Sequence, residues 1–287
     1  MLYLLLSIFF NAILFVIIKL FAKFNINTLQ ALVINYLVAF SVGFFMLKSQ
    51  QSIAYGIQEK WFLGSVFLGF IFISTFYVTA LTSQKNGLSV ASVASKMSVI
   101  IPIIAGYIFY KENLGILKII GIVIALLSVY LTAKKETGKI SNSSELIFPA
   151  LVFLGAGIID SAIQYIQNFY VPTKDVSLFS MLTFLCAFLV GILLLFFLSF
   201  KKKLSITGKT ILGGIALGIP NFFSLYFMIK MLASKIYPSA VTFTIHNIAI
   251  VAFTTLIGVA FFNEKMSKQN IIGITLSIIA LLFVTQN

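Results

Sequence analysis

The chain has no arginine, one histidine, one cysteine, one tryptophan and only seven acidic residues among 287. Each scarcity excludes a class of protein. A lone Cys186 cannot close an internal disulfide, so a secreted disulfide scaffold is ruled out. One histidine and one cysteine give no metal-ligand spacing, and no nucleophile stands beside a base, so neither a metal site nor catalytic residues are expected. The phosphate-loop pattern GxxxxGK[ST] is missing, and nothing else points to a cofactor. Charged residues make up 9% of the chain and hydrophobic residues 60%, whereas a soluble domain carries about 25% charged residues to cover its surface. The chain therefore reads as an integral membrane protein.

Lysine is the exception to this poverty of charge. Twenty lysines against seven acids leave a net charge of +13, which in a soluble domain would suggest nucleic acid. Phosphate recognition usually recruits arginine forks as well, and these lysines fall mostly in short gaps between apolar runs. They are read as headgroup anchors on a lipid bilayer, with no nucleic-acid partner.

A helix needs about 20 apolar residues to cross the hydrocarbon core. Ten runs near that length are present, at 2–21, 28–47, 61–82, 87–110, 114–133, 146–169, 176–200, 210–231, 237–262 and 270–285. They are apolar on every side rather than alternating with period two, so an all-α bundle is expected and a β-barrel is not. The first run lacks a basic leading segment and an evident cleavage site, and is read as a retained helix. The gaps are too short to hold a soluble domain.

The second half echoes the first. Gly106, Glu112 and Gly121 return as Gly258, Glu264 and Gly273, giving the spacing G-x5-E-x8-G twice. Val42-Gly43 is answered by Val190-Gly191, and Ser89 by Ser239. Each repeat unit holds five helices, an odd number, so the second copy must enter the membrane from the opposite side. The expected architecture is ten transmembrane helices as two inverted five-helix repeats, 1–135 and 146–287. Such a pair places a substrate near mid-bilayer between the halves and permits alternating access.

On the segments Gly106-Tyr-Ile-Phe-Tyr-Lys-Glu112 through Gly121 and Gly258-Val-Ala-Phe-Phe-Asn-Glu264 through Gly273, the chain resembles the drug/metabolite transporter superfamily, in particular its ten-helix EamA-like branch. The resemblance spans nearly the whole chain. It implies a bacterial inner-membrane carrier for a small-molecule substrate, driven by a proton gradient or by exchange.

The polar residues inside the spans are the candidate site. Lys96 lies nine residues beyond Gly87, about 14 Å along a helix and near mid-membrane, where a charge is usually turned toward a cavity or partner. Ser89, Ser92 and Lys96 share one helix face, and the repeat-related Ser239, Thr242 and His246 form a second small-polar and basic stripe. Substrate recognition by Lys96, His246, Ser92, Thr242 and Asn11 is set beside a plainer reading, in which these groups are buried and satisfied by their neighbours. Asp160, followed by Gln164 at i+4, is expected to pair with Lys96, bind a coupling proton or contact a substrate amine. Glu112 and Glu264 each precede a helix, where a carboxylate complements the positive helix end. Gly106, Gly121, Gly258 and Gly273 are read as close-packing positions. Pro102 and Pro220 fall inside spans and free backbone carbonyls there.

A secondary transporter is the favoured function, with a flippase for a lipid-linked substrate or a membrane-embedded transferase as alternatives. Ten crossings put both termini on one side. The lysine balance across the gaps places that side outside, whereas the resemblance places it in the cytoplasm, and the latter is followed here.

Overall fold

The computed structural model describes residues 2–47, 52–104, 115–133, 144–200, 206–233 and 239–284. Among them the secondary structure is helical throughout. The helices are α1 (Leu2–Lys23), α2 (Thr28–Phe45), the short α3 (Ile53–Gln58), α4 (Phe62–Lys85), α5 (Leu88–Met97), α6 (Ile116–Ala133), α7 (Ser144–Phe169), α8 (Val176–Ser199), α9 (Gly208–Ala233), α10 (Ser239–Phe262) and α11 (Lys268–Val284). A 3-10 turn at Thr173–Asp175 precedes α8.

Seven of these helices are long and apolar enough to cross a bilayer: α1, α2, α4, α7, α8, α9 and α10. Three shorter apolar helices occupy Leu88–Ile104, Ile116–Thr132 and Lys268–Val284. The first of these is interrupted: α5 stops at Met97, Ser98 and Val99 form a turn, and helical structure resumes over 100–104. The turn falls inside the expected apolar run 87–110, of which 105–110 lie outside the described residues, and Pro102 supplies the reason for it. Proline has no N–H to give the carbonyl four residues back, here that of Ser98. That carbonyl instead accepts from the Ile101 N–H at 2.9 Å, closing a tighter turn. Pro220 has no such effect, since α9 runs through it unbroken.

Local sequence sets the helix ends. Asn27 caps α2 by accepting from the Gln30 N–H at 3.1 Å, and Ser52 caps α3 by accepting from the Tyr55 N–H at 3.1 Å. Ser267 and Asn270 form a reciprocal capping pair at the start of α11, each side chain accepting from the other's backbone N–H at 3.1 Å.

The chain forms two compact units, each drawn from both halves of the sequence. One comprises 1–77 and 162–234, the other 78–161 and 235–287. In the first unit, α2 packs on α8 and α9, and α1 packs on α9. Its interior is aromatic: the Tyr36 ring stacks on Phe184 with centroids 6.2 Å apart, and Phe72 stacks on Phe184 at 6.0 Å. In the second unit α6 packs on α11, and α5 lies against α6, α10 and α11. The core there gathers Val93, Met97, Ile100, Ala125, Val251, Ile274 and Leu281.

Glycines make the central contact of each unit, and they do so reciprocally. A methyl group on Gly121 would stand 2.7 Å from Val284 Cγ2, and one on Gly273 would stand 2.7 Å from the Thr132 backbone nitrogen. Residues 121 and 132 therefore meet 284 and 273, so α6 and α11 run antiparallel. The same crossing occurs in the other unit. Gly43 of α2 abuts Met181 Cβ of α8 at 2.9 Å from a built methyl, and Gly191 of α8 abuts Val33 Cγ2 of α2 at 2.7 Å. Small residues at these positions let the two backbones approach closely.

Replacing Gly273 by alanine forces backbone rather than a flexible side chain to move, and is expected to cost about 1–3 kcal/mol. Gly115→Ala, with nothing within 4 Å of the built methyl, should be neutral. Melting of the two variants in detergent, followed by size-exclusion fluorescence, checks this. Equal melting temperatures would show that the contact is not close.

Candidate functional site

Site geometry is richest where the interrupted span meets α7. Ser98, fully buried in the turn after α5, donates its hydroxyl to the Ser95 carbonyl and lies 3.4 Å from Asp160 Oδ2. Lys96, in the last turn of α5, lies two residues before Ser98 and feels the charge of Asp160 at longer range than a direct ion pair. Both charged residues are half-buried. Gly157, one turn before Asp160, explains the approach: a methyl there would stand 2.7 Å from Ile101 Cβ, so segment 100–104 presses onto bare α7 backbone. Ser98 was not singled out from sequence, although Pro102 four residues later was the available signal.

The Ser89, Ser92, Lys96 stripe is real as a helix face, but its members differ in kind. Ser92 is buried and its hydroxyl donates to the Ser89 carbonyl at 3.0 Å, so it is satisfied within α5. Ser89 is engaged by Glu264. His246 is buried on α10, the helix packed against α5, with Nδ1 3.4 Å from Asn247 Oδ1. Lys96 and His246 thus sit on neighbouring helices of one unit. The side chain of Thr242 lies outside the described residues, as do Gly106 and Glu112.

Two other sequence candidates fall elsewhere. Gln164 is exposed, so Asp160 and Gln164 do not form one buried pair of polar groups. Asn11 belongs to the first unit, where its amide lies 3.4 Å from Ser224 Oγ. One turn away Asn221 donates to Asn35 Oδ1 at 3.1 Å, both residues being buried. These pairs tie α1 and α2 to α9 by side-chain hydrogen bonds, which hydrocarbon strengthens modestly.

Glu264 departs from expectation most clearly. Its carboxylate accepts from the backbone N–H groups of Leu88 and Ser89 and from the Ser89 hydroxyl, the latter two at 3.4 and 3.3 Å. It caps α5, 175 residues earlier in the chain, while α11 is capped by Ser267 as described above. Gly258 is part of this arrangement, since a methyl there would stand 2.7 Å from Glu264 Oε2. Gly121 and Gly273 lie at the close contact of α6 and α11. No cluster of three or more metal-ligating side chains occurs among the described residues.

In this helical, multi-pass membrane protein the interrupted span brings a lysine, a carboxylate and a hydroxyl to one neighbourhood, where polar groups are costly and seldom idle. Comparison with known proteins gives the class its name. The chain belongs to the EamA-like transporter family, whose model matches residues 1–134 and 144–286. An uncharacterized protein of Haemophilus influenzae (strain ATCC 51907 / DSM 11121 / KW20 / Rd) is 29% identical over 275 residues, covering 93% of this chain and 91% of the relative. A solved crystal structure is similar with a TM-score of 0.55 over 99% of this chain and 98% of its own, at 14% identity, a likeness of fold.

Removing one of these two opposite charges should be worse than removing both. Lys96→Ala leaves Asp160 without its cation and is expected to cost about 1–3 kcal/mol, less than the 3–5 of a fully buried pair because both residues are half-buried. Lys96→Ala with Asp160→Asn should recover most of that loss. Thermal unfolding of the three proteins measures it, and additive losses would show that the two charges do not interact.

Proposed function

We propose that the protein is a secondary transporter that carries a small organic metabolite across the bacterial inner membrane by alternating access. Its ten spans form two inverted repeats, 1–135 and 146–287. The reciprocal glycine contacts support this arrangement. Gly121 with Val284 and Gly273 with Thr132 exchange places under one shift of sequence number, as do Gly43 with Met181 and Gly191 with Val33 under another. Antiparallel crossing of repeat-related helices is what an axis in the membrane plane produces.

The observation that carries the functional reading is the contact of Ser98 with Asp160 at the helix interruption, two residues beyond Lys96. Lys96 recognises a polar or anionic moiety of the solute, assisted by His246. Asp160 holds Lys96 when no solute is bound and takes part in coupling to a proton or an exchanged solute. A broken helix suits this role because the turn carries polar groups whose hydrogen bonds can be exchanged for bonds to a ligand. An even number of spans returns the C-terminus to the side of the N-terminus, assigned here to the cytoplasm, and a C-terminal fluorescent-protein fusion would remain dark if that assignment were reversed.

A thermal-shift screen of purified protein against a metabolite panel tests the reading. A stabilising solute should lose its effect on Lys96→Ala, and also on the Lys96→Ala, Asp160→Asn double variant whose fold is restored. His246→Ala should weaken the effect less, since a neutral imidazole contributes hydrogen bonds rather than full charge. A double variant that binds and transports normally would reduce the cluster to a structural ion pair.

A further inference from the structure

We infer that Glu264 is a positioning residue for Lys96, acting through α5. The inference rests on the proposed role of Lys96 for its functional meaning, but its physical content is separate. α5 is a rod of ten residues, about 15 Å long. It is bounded at one end by Gly87 and at the other by the Ser98–Val99 turn. At the second end Ser98 meets Asp160 of α7. At the first end the backbone N–H groups of Leu88 and Ser89 donate to the Glu264 carboxylate, the only side-chain acceptor for them among the described residues.

The local backbone is shaped for that carboxylate. Gly87 has φ +120°, and a methyl there would stand 3.3 Å from both carboxylate oxygens. Gly258 leaves the matching space on the other side. Glu264 is itself held where α10 ends: its N–H donates to the Gly258 carbonyl at 3.0 Å, and Asn263 turns the chain with φ +50°. A carboxylate on three donors at a helix N-terminus gains from charge-assisted hydrogen bonds and from the helix dipole together. Gly87 supplies no side-chain cap of its own. Without Glu264, the first-turn N–H groups of α5 would face an environment with little water, and the rod would lose its attachment to the turn after α10. Lys96 sits one residue from the rod's far end, so its position follows that of the rod.

Thiol labelling reads the grip directly, with no solute required. In the full-length protein carrying Cys186→Ala, single cysteines replace Ser92, buried on α5, or Ser180, buried on α8 in the other unit. Glu264→Ala should raise the maleimide reaction rate at position 92 about tenfold or more, the ratio that corresponds to losing hydrogen bonds to a charged group. The rate at position 180 should not change. Glu264→Gln, which keeps one acceptor oxygen, should fall between. Gly87→Ala, which crowds the carboxylate and strains the backbone, should reproduce the pattern if the alanine variant at 264 cannot be purified. An unchanged rate at 92, or equal increases at 92 and 180, would overturn the inference, the first by showing no grip and the second by showing general loosening. A failed metabolite screen would leave these rates untouched, so the two readings fall separately.

Discussion

Hydrocarbon offers no water to an unpaired backbone group, and that constraint governs this molecule. Long helices satisfy it by pairing every amide internally, which is why the chain is built from them. The constraint then makes any interruption informative. The described part of the fourth apolar span breaks at Ser98–Val99, and the polar groups of Ser98 are met by Asp160, the Ser95 carbonyl and the Ile101 N–H rather than left bare. The opposite end of the same helix is met by Glu264. Two of the chain's seven acids are therefore spent on one ten-residue helix.

Packing serves the same arrangement. Gly157 lets segment 100–104 lie on the α7 backbone, and from there Asp160 reaches Ser98. Val93 and Met97 on α5, and Ile100 beyond the turn, enter the core of the unit, which leaves Lys96 on the neighbouring polar face. Helix α10, with its buried His246, closes on α5 from the second half of the sequence. The association of distant segments explains why a site can form from so few polar residues.

Much of this was legible in the sequence, and the illegible part has a physical cause. Hydropathy located the apolar runs because each must match the thickness of a bilayer. The repeated G-x5-E-x8-G spacing marked glycines that prove to be packing contacts, as with Gly121 on Val284 and Gly273 on Thr132. The role of Glu264 could not be read, because its partner is set by tertiary approach and the sequence offered only the adjacent helix, which Ser267 already caps. Gln164 looked like a companion to Asp160 since i and i+4 share a face, but periodicity does not tell how far neighbouring helices extend along that face. The break at Ser98 was foreshadowed by Pro102, yet Pro220 shows that proline alone does not decide the matter, since α9 absorbs it.

The central proposal is alternating access, under which the break at Ser98–Val99 would open to each side of the membrane in turn. The most direct measurement is the reaction of Ser98→Cys, in the Cys186→Ala background, with a membrane-impermeant thiol reagent applied to right-side-out and to inside-out vesicles. Alternating access predicts reaction from both faces, at rates that shift in opposite directions when a transported solute is added. Reaction from one face alone, or from neither, would contradict the account.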